Sequence, residues 1–220
     1  MTPDLEREPL MSDAFRTRAL ERLMQRPAPE AFDVDHVPQA GDHRLAENLA
    51  PSDGRLHKPA AVLVPIIARA TGATMLLTER AAHLKDHAGQ IAFPGGKIAS
   101  AQETPAEAAL REAHEEIGLE SSLIEPLGYL EPYLSSTGYR IIPVVGLVTP
   151  DFTLRIDPQE VASVFEVPLS FLMDPARHDV HEREWRGVQR RYFAMPYGER
   201  YIWGVTAGII RILYERLYGP

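Results

Sequence analysis

The segment between Thr104 and Gly118 constrains the fold most, because it contains sequence signals for both ends of a helix. Thr104 is a residue type that caps helix N-termini, Pro105 stands at the favoured first helical position, and Glu107 follows three residues after the cap. This is the capping-box pattern, in which the cap and the third residue satisfy each other's backbone N–H groups. Gly118 is a natural C-terminal stop. The pattern predicts a helix from about Pro105 to Ile117.

The predicted helix carries two separate arcs of side chains. At about 100° per residue, an apolar stripe contains Ala109, Leu110, Ala113 and Ile117, and a second arc contains Glu112, Glu115 and Glu116. A solvated acidic face is the ordinary interpretation of such a charge run. It is costly here, because like charges three and four residues apart repel each other and the helix dipole disfavours acids near the C-terminus. Since clustered carboxylate oxygens suit a hard cation such as Mg²⁺, we favour a metal site.

The composition excludes several other classes of function. Formal net charge is −8 and the chain has no long Lys/Arg stripe, so a nucleic-acid partner is not expected. Cysteine is absent from the sequence, which excludes disulfides, thiolate zinc sites and cysteine nucleophiles and favours a reducing compartment, most simply the cytoplasm. No apolar run approaches the roughly 18 to 20 residues that span a bilayer, and the polar, acidic N-terminus lacks the features of a secretory signal.

The chain divides into residues 1–57 and residues 58–220. In the first part, SDAFRTRALERLMQR predicts a short amphipathic helix, capped by Ser12 or Asp13, with Phe15, Leu20 and Leu23 on one side. The stretch that follows is rich in Pro, Asp and Ala and is predicted as an extended arm over the domain surface. The N-terminal helix could cover the domain or mediate a homodimer.

From residue 58 onward, short apolar and β-branched runs alternate with turn signals. AAVLVPIIARA and ATMLLTER predict two strands joined by a turn, and EVASVFEVPLSFLMD predicts a strand that enters a short helix. VQRRYFAMPY and RYIWG predict a hairpin, and VTAGIIRILYERLYG predicts a closing amphipathic helix. Because strands come in runs with few helices, an α+β fold is favoured over a regular βαβ one.

The pattern GG…E…REAHEEIGL resembles the signature of the Nudix (MutT-type) hydrolases, which cleave a nucleoside diphosphate linked to another group. From Glu103 onward the match is complete: seven residues, then Arg111-Glu112, an apolar residue, one further residue, Glu115-Glu116, one residue and Gly-Leu. The resemblance implies the Nudix fold for residues 58–220, with a mixed β-sheet sandwiched between helices, and makes residues 1–57 an N-terminal helical extension.

The segment before this signature resembles one branch of the family, the coenzyme A pyrophosphatases. Six residues separate Gly96 from Glu103, where the usual signature has five, and LLTERAAHLKDHAGQIAFPGG at residues 76–96 follows the pattern of that branch. The basic position in this pattern, usually Arg, is Lys85, which keeps the charge but loses the bidentate fork of a guanidinium group.

The resemblance implies hydrolysis of a pyrophosphate by in-line attack of water, helped by Mg²⁺ or Mn²⁺. Glu112 and Glu116 are the first candidates for metal ligands, and Glu115 is either a further ligand or the base. Arg111 is expected to orient carboxylates and to pair with Glu103.

A carboxylate outside the helix usually completes a Nudix site. Glu160 is the best candidate, as metal ligand or general base, with an exposed turn acid as the alternative. Glu166 is a weaker candidate for the same role.

Several further residues are candidates for substrate binding. Gly95 and Gly96 form a turn whose backbone can approach the metal and the helix closely. Arg80, Lys85 and Lys97 could meet the 3′-phosphate or the diphosphate of coenzyme A, although any single one of them is more often a surface cation. The remaining candidates have ordinary explanations: His83 and His87 as polar surface, Ser135, Thr137 and Tyr139 as either cleft or turn, and Trp203 and the tyrosines as core.

The leading hypothesis is an enzyme that hydrolyses the diphosphate bond of coenzyme A, or of an acyl or oxidised form, to 4′-phosphopantetheine and adenosine 3′,5′-bisphosphate. An alternative is a Nudix pyrophosphatase that acts on ADP-ribose, a dinucleotide or an oxidised nucleoside triphosphate. A third hypothesis is a Nudix-fold ligand sensor without turnover, which the complete set of signature acids argues against.

Overall fold

The computed structural model describes residues 12–33, 36–45, 57–185 and 188–219. In these ranges the α-helices are α1 (Ser12–Arg22), α2 (Pro105–Ile117), α3 (Leu169–Leu172) and α4 (Val205–Tyr218). The strands are β1 (Ala40–Gly41), β2 (Lys58–Ile67), β3 (Thr74–Arg80), β4 (Ile91–Ala92), β5 (Gly95–Lys97), β6 (Ile124–Tyr129), β7 (Tyr133–Leu134), β8 (Tyr139–Val148), β9 (Val161–Pro168), β10 (Asp179–Trp185), β11 (Val188–Tyr197) and β12 (Arg200–Trp203). None of the described helices is long and apolar enough to cross a membrane.

The larger sheet is mixed. Its main path runs β1-β7-β8-β2-β3-β4, and three more strands join it: β5 beside β2, β6 beside β8 and β9 beside β3. Strand β2 pairs in parallel with β8 over its whole length, whereas its pairings with β3 and β5 are antiparallel. A mixed sheet with few helices is the α+β arrangement that the sequence predicted.

The central strand β2 is apolar on both faces because helices cover both sides of the sheet. Leu63 and Ile67 pack with the small residues of α2 on one face. Val64 and Ile66 belong to the other core, together with residues of α1, α3 and α4. The predicted sandwich of a mixed sheet between helices is therefore confirmed, and we refer to its two sides as the α2 side and the α4 side.

Helix α1 belongs to the core on the α4 side. Phe15, Ala19 and Leu23 are buried there, at spacings of four residues along one stripe of the helix. The prediction for Leu20 was wrong: it is 38% exposed, because it lies about 100° around the helix from Ala19. The helix includes both Ser12 and Asp13, one of which was predicted as its cap.

The extended arm after α1 is also tied to the sheet. Strand β1 pairs in parallel with β7, where Gly41 lies beside Leu134. The carboxylate of Asp42 accepts hydrogen bonds of 2.8 Å from the hydroxyl of Tyr133 and from the backbone N–H of Ser136. These contacts fix the described part of the arm against the β7–β8 turn. The rest of the predicted arm, residues 46–56, lies outside the described residues.

The second sheet is antiparallel and has the order β10-β11-β12. The predicted hairpin is present, with Tyr197 opposite Arg200 at its end. The prediction that Trp203 and the tyrosines are core holds for Tyr133 and Tyr218, which are buried, but not for Tyr201, which is 39% exposed. Strand alternation is the reason, since the neighbouring Ile202 is the residue that points into the core.

Candidate active site

Helix α2 begins and ends where the sequence predicted. The hydroxyl of Thr104 accepts a 3.2 Å hydrogen bond from the N–H of Glu107, and the N–H of Thr104 donates to the Glu107 carboxylate at 2.8 Å. At the other end Gly118 adopts a left-handed conformation with φ of 68° and donates its N–H to the carbonyl of His114. The capping box and the glycine stop therefore fix the position of the acidic arc along the helix.

Arg111 gathers the carboxylates of this arc. Its Nε donates to Glu103 at 2.8 Å, and its Nη1 donates to Glu112 at 2.8 Å and to Glu115 at 3.0 Å. Its Nη2 donates to the carbonyl of Lys97 at 3.1 Å. One guanidinium group thus links the loop before the helix, strand β5 and the acidic arc, which is the orienting contact with Glu103 that the sequence predicted.

Glu103 is anchored from two directions. Besides Arg111, the backbone N–H of Ala99 donates to its Oε2 at 2.5 Å. The hydrogen bond from Arg111, followed by that from Ala99, lowers the pKa of Glu103 below its usual range. Glu103 therefore stays ionised and holds Arg111 in place.

The three acids of the arc lie at different depths. Glu116 is 4% exposed, whereas the side chains of Glu112 and Glu115 are 17% and 58% exposed. Glu116 therefore lies at the bottom of the site, Glu112 lies above it, and Glu115 lies at the rim where it contacts solvent.

Burial dominates the electrostatics of Glu116. Its pKa is raised to about 8: loss of solvent is the largest cause, the N–H of Gly95 opposes it, and the nearby charges of Glu160 and Glu112 add to it. The guanidinium of Arg80 lowers it by a smaller amount. A buried carboxylate beside two others is an unfavourable arrangement that a bound cation would relieve.

Gly95 and Gly96 lie against the two inner acids; they were predicted to form a turn, but they begin strand β5 because they pair with β2. Gly95 donates its N–H to Oε2 of Glu116 at 3.2 Å. A Cβ on Gly96 would lie 2.4 Å from the carboxylate carbon of Glu112, and one on Gly95 would lie 2.5 Å from the carbonyl oxygen of Ala61. The absence of a side chain at Gly96 therefore lets β5 lie against Glu112, and its absence at Gly95 lets β5 pack closely on β2.

A loop before β9 brings the fifth carboxylate to the helix. The N–H groups of Arg155 and Asp157 each donate at 2.9 Å to the last carbonyls of α2, those of Ile117 and Glu116. The carbonyl of Glu160 accepts a 2.9 Å hydrogen bond from Ala81 at the end of β3. Sequence reasoning missed Arg155 and Asp157, because their contribution comes from the backbone and leaves no side-chain signal.

Glu166 lies in a separate ion pair. Arg69 donates to its carboxylate at 2.5 Å and the hydroxyl of Thr74 does so at 2.5 Å, and the Arg69 contact lowers the pKa of Glu166. Its strand partner is Leu76, in the middle of β3. The suggestion that Glu166 could serve the site is therefore wrong, because Arg69 and Thr74 already use its oxygens.

The three predicted substrate-binding cations occupy different positions. Arg80 ends β3 beside Glu116, and its Nε is buried without a hydrogen-bond partner among the residues that the structure describes. Lys97 is exposed at the end of β5, and Lys85 is exposed in the loop between β3 and β4. Only Arg80 is thus placed beside the buried carboxylates.

The loop that carries Lys85 is held by local contacts. A ring nitrogen of His83 lies 3.0 Å from the carbonyl of Gln159, and one of His87 lies 2.9 Å from the side chain of Gln90. These contacts agree with the prediction that both histidines are polar surface residues.

The Ser-Thr-Gly segment is a self-contained turn. The hydroxyl of Ser135 lies 3.0 Å from that of Thr137 and accepts the N–H of Tyr139 at 3.0 Å. Ser135 itself is 3% exposed. Turn chemistry thus accounts for these residues.

The carboxylates present fit a divalent cation whose remaining ligands come from water and the substrate. Within the described part of the chain, no three His, Asp or Glu side chains lie close enough to hold a metal by themselves. Mg²⁺ commonly takes one or two carboxylates and fills the other positions with water and phosphate oxygens. Glu116 and Glu112, with Glu115 at the rim, offer that partial set, and the raised pKa of Glu116 shows how poorly its charge is compensated without a cation.

The fold and this carboxylate site define a hydrolase of pyrophosphate bonds, and comparison with known proteins identifies the family. A model of the NUDIX domain matches residues 57–191. The uncharacterized Nudix hydrolase NudL of Escherichia coli (strain K12) is 43% identical over 157 residues, which cover 71% of this chain and 81% of that protein. The corresponding protein of Shigella boydii serotype 18 matches to the same extent. The chain belongs to the Nudix family.

Solved structures include similar chains at lower identity. DR0079 from Deinococcus radiodurans is 16% identical and superposes with a TM-score of 0.47, covering 77% of this chain and 90% of that one.

Proposed function

We propose that this Nudix hydrolase cleaves the diphosphate bond of coenzyme A or one of its derivatives. Water adds across the phosphorus–oxygen bond, and the products are 4′-phosphopantetheine, or its derivative, and adenosine 3′,5′-bisphosphate. Nudix hydrolases act on pyrophosphate substrates and need divalent metal ions. The choice of coenzyme A rests on the segment from Leu76 to Gly96, which resembles the coenzyme A branch.

The position of that segment supports the proposal. Its first strand ends at Arg80, whose carbonyl accepts the N–H of Gly89 at 3.1 Å, so the loop between them closes on itself. Ala81 then contacts the backbone of Glu160, and Gly95 contacts Glu116. The segment therefore contacts the carboxylate site at two points, which supports a role for it in substrate binding.

The carboxylates have distinct roles in the proposed reaction. Glu112 and Glu116, with Glu115 as a further ligand, would hold Mg²⁺ or Mn²⁺, and the ion would supply charge neutralisation at the diphosphate and a lower pKa for the attacking water. Glu160 or Glu115 accepts the proton from that water, since both are exposed to solvent near the buried acids.

The remaining predicted residues position these groups and the substrate. Arg111 holds the carboxylates at fixed separations while its pairing with Glu103 keeps it from the substrate. In this proposal Arg80 contacts the diphosphate, and the support for that role is its buried Nε, which lacks a partner among the described residues. Lys85 and Lys97, which are both exposed, are assigned to anionic groups farther from the bond that breaks.

A substrate panel tests the proposal. The protein is incubated with Mg²⁺ or Mn²⁺ and, separately, with coenzyme A, ADP-ribose, a dinucleoside polyphosphate and an oxidised nucleoside triphosphate, and products are identified by mass. We expect coenzyme A to give adenosine 3′,5′-bisphosphate with the highest kcat/KM. In Glu116→Gln this turnover should fall at least about a hundredfold, while Glu166→Gln serves as the matched control outside the site.

Two outcomes would contradict the proposal. If ADP-ribose were cleaved far better than coenzyme A, the enzyme would be a pyrophosphatase of the alternative substrate class. Tight binding of coenzyme A without product at any metal concentration would make the protein a ligand sensor.

A further inference from the structure

A small polar cluster joins the second sheet to strands β3 and β9 of the larger one. Arg200, the first residue of β12, forms an ion pair with Glu79 of β3. The hydroxyl of Ser163 in β9 donates to the same carboxylate oxygen at 2.9 Å. The guanidinium of Arg200 also lies 4.5 Å from the ring centroid of Phe165. We refer to Arg200, Glu79 and Ser163 as the Glu79 cluster, and the proposed reaction does not use it directly.

A β-bulge lies immediately beside this cluster. Glu79 is opposite Ser163, but the next residue of β3, Arg80, is opposite Val161, so that Ala162 has no partner in β3. An extra residue on one strand of an antiparallel pair locally changes the direction of the side chains, and such bulges are frequent next to active sites.

The bulge changes which face of the sheet the start of β9 presents. Leu77 and Phe165 pack with the core on the α4 side, so Glu79 and Ser163, two residues along each strand, share that face. Strict alternation would put Val161 on the same face as Ser163. Val161 is instead buried in the core on the α2 side, because the extra residue intervenes.

Two residues of the candidate site lie at this bulge. Arg80 alternates with Glu79 and lies on the α2 side, where its charge lowers the pKa of Glu116. Glu160 directly precedes Val161, and its carbonyl accepts the 2.9 Å hydrogen bond from Ala81. Because a slip of one residue turns every side chain of a strand to the other face, the register at the bulge decides whether Arg80 faces the carboxylates.

We propose that the Glu79 cluster positions Arg80 for the diphosphate of the substrate by fixing the register of β3 and β9 at the bulge. The hydrogen bond from Ser163 to Glu79 joins the two strands in the last pair before the bulge, and cross-strand pairs of this kind stabilise a register. Arg200 adds the opposite charge from the second sheet.

The inference rests on the proposed function, because it takes Arg80 as the residue that contacts the diphosphate. The Nε of Arg80 has no hydrogen-bond partner among the described residues, so the backbone of β3 has to direct this side chain. Arg200, Glu79 and Ser163 are therefore positioning residues that act through Arg80 from the opposite face of the sheet.

Calorimetric titration with methylenediphosphonate, a diphosphate analogue that is not hydrolysed, tests the inference in the presence of Mg²⁺. Arg80→Ala should bind the analogue about tenfold more weakly than the wild type. Glu79→Gln and Ser163→Ala should each weaken binding about threefold or more, while Ser163→Thr keeps the hydroxyl and should bind as the wild type does. Loss of the negative charge of Glu79 would by itself favour an anion, so weaker binding in Glu79→Gln has to come from geometry.

A double variant shows whether the cluster acts through Arg80. In an Arg80→Ala background, Glu79→Gln should cause no further loss of affinity. The matched control is Glu125→Gln, which also removes one negative charge from a partly exposed Arg–Glu pair, that of Arg16 and Glu125 between α1 and β6. Affinity for the analogue should be unchanged in this control.

Three results would overturn the inference. If Glu79→Gln and Ser163→Ala lowered the Tm but kept the affinity of the wild type, the cluster would only join the two sheets. If Glu79→Gln weakened binding equally with and without Arg80, the cluster would not act through that residue. If Arg80→Ala bound the analogue normally, Arg80 would have no role at the diphosphate. Because the analogue contains no part of coenzyme A beyond the diphosphate, these titrations can fail while the substrate panel succeeds, and the reverse.

Discussion

The backbone N–H of Gly95 donates a 3.2 Å hydrogen bond to Oε2 of Glu116, so the first residue of β5 supports the most deeply buried acid of helix α2. This single contact does not compensate the burial of the carboxylate, whose pKa is raised to about 8 by loss of solvent and then by the charges of Glu160 and Glu112. Without a metal, Glu116 is therefore protonated at neutral pH, and a bound cation would favour its ionised form.

The first prediction concerns the pH dependence of stability without metal. The carboxyl of Glu116 ionises near 4.5 in the unfolded chain and near 8 in the folded one, so between these values the folded state binds the extra proton. Its contribution to the free energy of unfolding therefore falls as pH rises through this window, by about 1.4 kcal/mol per pH unit, and stays constant below pH 4.5. Denaturant unfolding of the wild type and Glu116→Gln in a chelator, at several pH values, measures the difference between them.

The same pair of proteins shows whether a cation relieves the penalty. Adding Mn²⁺ at pH 8 should raise the Tm of the wild type and leave that of Glu116→Gln nearly unchanged. If the free energy of unfolding changed equally with pH in the two proteins, Glu116 would not have the raised pKa. If Mn²⁺ raised both Tm values equally, Glu116 would not be a metal ligand.

The second prediction concerns the close approach of Gly96 to Glu112. In Gly96→Ala the added Cβ would meet the Glu112 carboxylate at 2.4 Å, and the flexible carboxylate would move aside more readily than the backbone. We expect kcat to fall about a hundredfold with little change in Tm. Gly72→Ala is the control, because nothing lies within 4 Å of its Cβ and its positive φ affects stability alone. A large loss of Tm in Gly96→Ala with kcat retained would contradict this account.

Local chemistry explains why part of the site was predictable from the sequence. The ends of α2 follow from Thr104 and Gly118, since capping depends on residues within one turn. The exposure of Leu20 and Tyr201 was not predictable, because it depends on which neighbouring element covers each face. The hydrogen bonds from Asp157 and Arg155 to the end of α2 were hidden for another reason, since any non-proline residue supplies a backbone N–H.

The third prediction tests whether helix α1 is part of the domain core. Phe15 is fully buried whereas Leu20 is 38% exposed. Phe15→Ala should lower the free energy of unfolding by about 3 to 5 kcal/mol, and Leu20→Ala by less than about 1 kcal/mol. Denaturant melts of both variants give these values. If both variants were as stable as the wild type, α1 would be an appendage that the domain does not need.

The fourth prediction separates two glutamates that are six positions apart in sequence. Glu160 is exposed beside the buried acids, whereas Glu166 is held by Arg69 and Thr74. Glu160→Gln should lower kcat about a hundredfold or more at unchanged Tm, because Glu160 is exposed and its neutralisation affects the reaction and not the packing. Glu166→Gln should cost about 1 to 3 kcal/mol of stability at unchanged kcat, because Arg69 loses its charged partner. Steady-state kinetics and thermal melts of the two variants give all four values. If kcat fell in Glu166→Gln and not in Glu160→Gln, Glu166 would be the residue that takes part in the reaction.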